Sequence, residues 1–206
     1  MKHLQKIKFL FLTLTSIFFI FLAIGSEEEN QADQVKEAKE QTASLNIPEE
    51  QANFELARKS FYEKYIAGQN EIKKSAVWNA ANSHASEFRK NNSGVITNFV
   101  GKITDISTDQ GGDYVWITIK SSAQGITVSY KTSNNSFSDI GYNTRPAKGS
   151  KIYNQVAEFA EGDYVYFSAE TFDHSQKGML EVSLSELGSL KKPEFMVKFT
   201  DIIKAE

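Results

Sequence analysis

The chain of 206 residues sets 23 Lys and Arg against 26 Asp and Glu, a net charge of −3, and contains no cysteine. Disulfides, thiolate nucleophiles and thiolate metal sites are therefore excluded, and the acidic balance argues against nucleic acid as the main partner, because phosphate binding draws on a basic surface. An apolar fraction of 40%, with 15 Phe and 8 Tyr, suffices for one core, and the length suits one domain plus an appendage.

Lys2, His3, Lys6 and Lys8 precede an uncharged run from Phe9 to Gly25. A basic start, an apolar stretch and small residues at Ala23 and Gly25 predict a signal peptide cut after Gly25. The run is also nearly long enough for a retained transmembrane helix, so both a cleaved signal and a membrane anchor at residues 9–25 stay open. Either alternative exports the remainder to the periplasmic or other extracytoplasmic side, because lysines flank one end and Glu27, Glu28 and Glu29 the other. No cysteine follows the run, so a lipoprotein anchor is excluded. The three lysines belong to residues 1–25, which leaves 20 basic against 26 acidic residues beyond them, a balance of −6. Residues 26–47 are mostly Glu, Gln, Lys and Ala, with little to bury, and read as a polar spacer.

Residues 48–93 read as helical, as one or two helices. Pro48 followed by Glu49 and Glu50 suits a helix start, and Phe54, Ala57, Phe61 and Tyr65 recur at helical spacing up to Gly68. A second stripe of Val77, Ala81, His84 and Phe88 spans about 70–90, with Trp78 beside it. His84 has no companion at metal-ligand spacing and reads as a packing residue, as does Trp78.

From Gly94 the period becomes two, the mark of strands. The first strand covers about 95–106, with Gly101 where it could coil or bulge. In the second, Val115, Ile117 and Ile119 alternate with Tyr114, Trp116 and Thr118. In the third, Ile126, Val128 and Tyr130 alternate with Thr127, Ser129 and Lys131. A Ser- and Asn-rich loop (132–148) leads to a short helix started by Ser150, with Ile152, Val156 and Phe159 as its buried stripe. Strand patterns then follow at Val165–Ala169, Leu180–Leu184 and Phe195–Ile202. Residues 94–206 are therefore predicted as a mainly β domain: a small OB-type barrel of five or six strands with one short inserted helix. Which of the last two segments is the fifth barrel strand stays open.

Several pieces carry a resemblance: NEIKKSA (70–76), NFVGKITDIST (98–108), SDI (138–140), GSKIYNQV (149–156), GDYVYFSAETF (162–172) and PEFMVKFTDI (193–202). In order and spacing they resemble an uncharacterised family of exported bacterial proteins with an OB-fold-like C-terminal domain, over residues 62–202. The resemblance implies no enzyme activity. Ala169 stands where such strands often carry glycine.

No nucleophile elbow, phosphate-cradling glycine loop or metalloprotease helix motif occurs. No catalytic residue, metal or cofactor is expected. Asp139, Glu194 and His174 are the remaining candidates for an envelope hydrolase, each more readily explained as a loop or turn residue. The outer face of the second and third strands is the usual OB ligand face, which makes Tyr114, Trp116, Thr118, Thr127, Ser129 and Lys131 the candidate ligand-binding residues. The same aromatics could instead cover the stripe of the preceding helices. The expected function is a non-catalytic binding or interaction module of the cell envelope, taking an envelope protein or a small ligand, with the membrane as a further contact if residues 9–25 are retained. The alternative is a single-stranded nucleic-acid binder using the OB face, which clustering of Lys102, Lys120 and Lys131 would favour.

Overall fold

The computed structural model describes residues 45–205. The predicted signal or anchor segment 1–25, and the spacer up to residue 44, lie outside the described residues. Among the described residues no helix is long and apolar enough to cross a membrane.

Two helices come first, α1 (Glu49–Ile66) and α2 (Glu71–Asn91). Pro48 enters α1 with φ −56°, and Glu49 and Glu50 sit in its first turn, where acids oppose the positive end of the dipole. Asn70 caps α2 by accepting from the Lys73 amide at 3.0 Å. Five strands follow among the described residues: β1 (Val95–Thr108), β2 (Val115–Ser121), β3 (Val128–Lys131), β4 (Tyr164–Thr171) and β5 (Glu194–Lys204). They form a closed barrel in the order β1-β2-β3-β5-β4, antiparallel except for the short parallel seam from Ser129–Glu194 to Lys131–Met196.

Alternation sends Val115, Ile117 and Ile119 of β2 and Val165, Phe167 and Ala169 of β4 into the core, beside Phe99, Tyr130 and Phe195. Closing the ring requires β1 to serve two neighbours, and it bends to do so at register shifts after Ile96 and Ile103. Gly101 lies between these shifts. A Cβ there would stand 2.6 Å from Cγ2 of Ile119 and 2.9 Å from the Lys120 carbonyl, so glycine permits the close approach of β1 and β2.

Helices close the barrel at both ends. At one, α3 (Lys151–Val156) is capped by Ser150 and buries Ile152 and Val156. Gln155 ties it to β5, donating to Asp201 and accepting from the Ile202 amide. At the other, Gln51 of α1 bridges Val100 and Ser121, and Phe54 packs on Phe88 and Phe195.

One expectation fails. Leu180–Leu184 is not a strand: it makes one isolated bridge, Glu181 to Phe195, and is followed by an unforeseen helix, α4 (Glu186–Lys191). The buried Glu181 carboxylate accepts from the amides of Ser183 and Glu194 and from Lys177 Nζ, so the chain folds around this acid instead of extending. The leucine-valine alternation keeps no single buried face, since Leu180 is buried but Val182 is 37% exposed and Leu184 fully exposed. The helix pair reaches the barrel end and α4, where Arg58 Nη2 donates to the Ser189 carbonyl and Trp78 Nε1 to the Ser189 hydroxyl.

Candidate functional site

The loop after β3 is a built wall. Asp139 Oδ1 accepts from the Thr144 amide at 2.7 Å and from its hydroxyl at 2.6 Å, and the Thr144 hydroxyl accepts from the Ser133 amide at 2.7 Å. The other Asp139 oxygen lies 3.4 Å from Arg145 Nε, in an ion pair about nine-tenths buried on both sides. Arg145 in turn lays its guanidinium over the Tyr114 ring, 4.7 Å from the centroid. An Asn- and Ser-rich segment with little to bury is thus held by one carboxylate that satisfies its turn amides.

Between this wall and the 180–182 segment lies a cleft of about 340 Å³. Leu180, Val182, Met196 and Tyr142 give it apolar sides, with the Tyr142 ring held edge-on to Phe172 at 5.0 Å. Thr132, Ser133, Asn134 and Ser138 supply hydroxyl and amide groups, and Lys131 and Glu194 form a 2.7 Å ion pair along it. Apolar walls with a few polar groups suit ligand recognition. Large apolar side chains of the loop, and one just beyond Val182, also project into solvent: Phe137 is 86% exposed, Ile140 71%, and Leu184 fully.

The six predicted ligand residues occupy several places. Trp116, Thr118 and Lys131 share the outer face, Thr118 being the cross-strand partner of Lys131. Trp116 is half-buried, and its indole N–H is out of solvent without a hydrogen-bond partner. Tyr114 is 39% exposed but engaged by Arg145, and its backbone bridges to Ala147. Ser129 is buried in the β3–β5 seam, its amide donating to the Pro193 carbonyl at 2.9 Å. Thr127 sits at the β2–β3 turn, beside Lys59, in a different cleft. Of the six, only Lys131 lines the cleft beside the loop wall. Thr132, Ser133, Tyr142, Leu180 and Met196, which join it there, carry no sequence signal of their own. The one available hint is the SDI piece, whose Asp139 organises the wall.

The three hydrolase candidates are each engaged separately. Asp139 serves Thr144 and Arg145, Glu194 pairs with Lys131, and His174 Nδ1 accepts from the amides of Gln176 and Lys177 in its own turn. His84 stacks on Phe54 at 6.0 Å, meets the tilted Phe61 ring at 5.7 Å, and leaves Nδ1 buried without a partner. Burial foremost, and the Arg58 charge after it, lower its basicity. Among the described residues no group of acids and histidines is placed to hold a metal ion.

The polar cluster under α1 has no counterpart in the apolar stripe read from the sequence. Gln51 donates to Glu55 Oε1 and accepts from the Val100 amide, while Ser121 donates to Glu55 Oε2 at 2.8 Å. Burial raises the Glu55 carboxyl to about 7, against the opposing pull of the bonds from Gln51 and Ser121. Arg58, fully buried, is brought down to about 10 by desolvation and remains charged at neutral pH. No protein-family model matches the chain, and no curated protein matches it.

Proposed function

We propose that the chain is a non-catalytic binding module of the cell envelope, whose OB-type barrel takes a protein or small ligand in the cleft between loop 132–145 and segment 180–182. The ring order β1-β2-β3-β5-β4, with a helix between β3 and β4, supports the OB reading. The envelope address rests on the basic and apolar residues 2–25, and the resemblance to exported proteins agrees with it. One observation carries the binding role: a cleft of about 340 Å³ stands between a loop that exposes Phe137 and Ile140 and a segment that runs on to the exposed Leu184. Solvent-facing apolar groups around a concavity mark interaction sites.

The full chain, tagged and incubated with envelope extract, is expected to retain a specific species identified by mass spectrometry. Phe137→Asp and Leu184→Glu abolish that retention, while Ile72→Asp, an equally exposed change on α2, preserves it. Equal capture by all four proteins would remove the cleft from the function.

The alternative, a single-stranded nucleic-acid binder, has one observation in its favour. Lys102 and Lys120 face each other across β1 and β2, and Lys131 lies on the next strand. Against it, Glu194 neutralises Lys131, and the Lys102 ammonium is drawn over the Tyr164 ring at 5.8 Å. A gel shift at low salt decides between them: binding at micromolar protein that falls steeply with added salt supports this alternative, and its absence removes it.

A further inference from the structure

A second cleft, of about 300 Å³, gathers three elements that are distant in sequence. α1 contributes Lys59 and Tyr62, the β2–β3 turn contributes Gly125 and Thr127, and the junction of α4 with β5 contributes Lys191 and Lys192. We propose that this cleft binds a multiply charged, phosphate-bearing anion.

Its cations are the first observation. Lys59, Lys191 and Lys192 take part in no ion pair among the described residues, although acids outnumber bases in the chain. Among the described residues, the only acid along the cleft is Glu63, one turn from Lys59. Like charges that line one cleft repel unless something neutralises them. A lysine at the C-terminal end of α4 complements that helix's dipole, which accounts for Lys191. It does not account for Lys59, which belongs to another helix.

Rigidity is the second observation. Lys59 follows Arg58, whose side chain is buried and tied to the Ala81 and Ser189 carbonyls. The Lys192 amide donates to the Gly188 carbonyl, and the next residue, Pro193, accepts from the Ser129 amide of β3. The third side is the turn at Gly125, at φ +70°, whose amide donates a hydrogen bond to the Ser122 carbonyl. A Cβ on Gly125 would lie 3.5 Å from Lys59 Nζ, so the ammonium reaches the turn backbone itself. Thr127, whose hydroxyl meets that of Ser122 at 3.3 Å, adds a hydrogen-bonding group.

Three compact ammonium groups on fixed backbones match the charge of a phosphate or pyrophosphate better than that of a single carboxylate. None of these residues lines the cleft beside Lys131, so the anion site stands or falls independently of the partner-binding role proposed above.

The test uses two phosphate sources. In calorimetric titration of the full chain at low salt, inorganic pyrophosphate binds. Lys59→Ala and the double change Lys191→Ala/Lys192→Ala each weaken it at least about tenfold, the loss expected for one charge-assisted hydrogen bond. Lys59→Arg restores binding, and Lys120→Ala, on the outer face of β2, leaves it unchanged. In parallel, phosphatidylcholine vesicles with and without phosphatidic acid are sedimented with the same variants. Binding that needs phosphatidic acid and fails in the same lysine variants supports the site and assigns the phosphate to a lipid headgroup. Failure of both probes overturns the proposal, as does pyrophosphate binding, or the part of vesicle binding that depends on phosphatidic acid, that survives the lysine changes.

Discussion

Glu55 occupies the seam between α1 and the barrel, where both carboxyl oxygens accept hydrogen bonds and neither reaches water freely. Its carboxyl is raised from 4.5 to about 7 by burial. The folded protein therefore holds a proton that the unfolded chain has released. This contribution to stability is complete below about pH 4.5, declines as pH rises and is gone above about pH 7. A shift of this size corresponds to about 3 kcal/mol at most. Glu55→Gln imitates the protonated form, so its stability stays flat across that interval and exceeds that of the parent at pH 8. Urea unfolding at pH 5 and pH 8 measures both slopes; parallel slopes for parent and variant would assign the pH dependence to other groups. Arg58 contributes no such slope near neutrality, since its lowered value still lies near 10.

The most instructive element is the one that is not a strand. Between β4 and β5 the chain runs through Glu181, 4% exposed, which gathers Lys177 Nζ and the amides of Ser183 and Glu194. Removing this acid leaves two amides without their acceptor and takes the ion pair from the largely covered Lys177 ammonium, which keeps only the Glu181 and Ser183 carbonyls. Glu181→Ala is expected to destabilise the protein by about 3–5 kcal/mol. Because Leu180, Val182 and Glu194 line the cleft beside Lys131, partner retention is also lost, and a thermal melt together with the pull-down checks both effects. Sequence periodicity reads burial, which is why β2, β4 and the Ser150-capped α3 were legible from their alternation and cap. It cannot read a turn organised by one buried carboxylate. It fails in the same way for α1, whose inward face mixes Phe54 with Gln51, Glu55 and Arg58. The cleft stayed invisible for a related reason: its lining comes from three separated segments, and only Lys131 lay on a strand whose outward face was predicted.

At the scale of the whole molecule, the helices and the barrel form one cooperative body through a small number of polar ties. Arg58 is the central one, joining α1 to α2 and α4 and placing its guanidinium 5.8 Å from the Phe195 ring of β5. Arg58→Ala removes two charged hydrogen bonds and leaves a cavity, at a cost of about 3 kcal/mol or more. In that variant, amide hydrogen exchange is expected to show α1, α2 and α4 losing protection together, ahead of β1, β2 and β4. Uniform loss across helices and barrel would show that the ties lie elsewhere.

The parallel seam has a kinetic consequence. Lys131 and Glu194 are 63 residues apart in sequence, and the seam they mark has only three registered pairs. Bringing such distant segments together sacrifices chain freedom before any pairing repays it, whereas β1, β2 and β3 can zip through neighbouring turns. The three-stranded meander thus has the means to form early, leaving an unsealed sheet that waits for β5. In that interval the β3 margin is open to strands from other molecules, and misassembly during refolding is expected to start there.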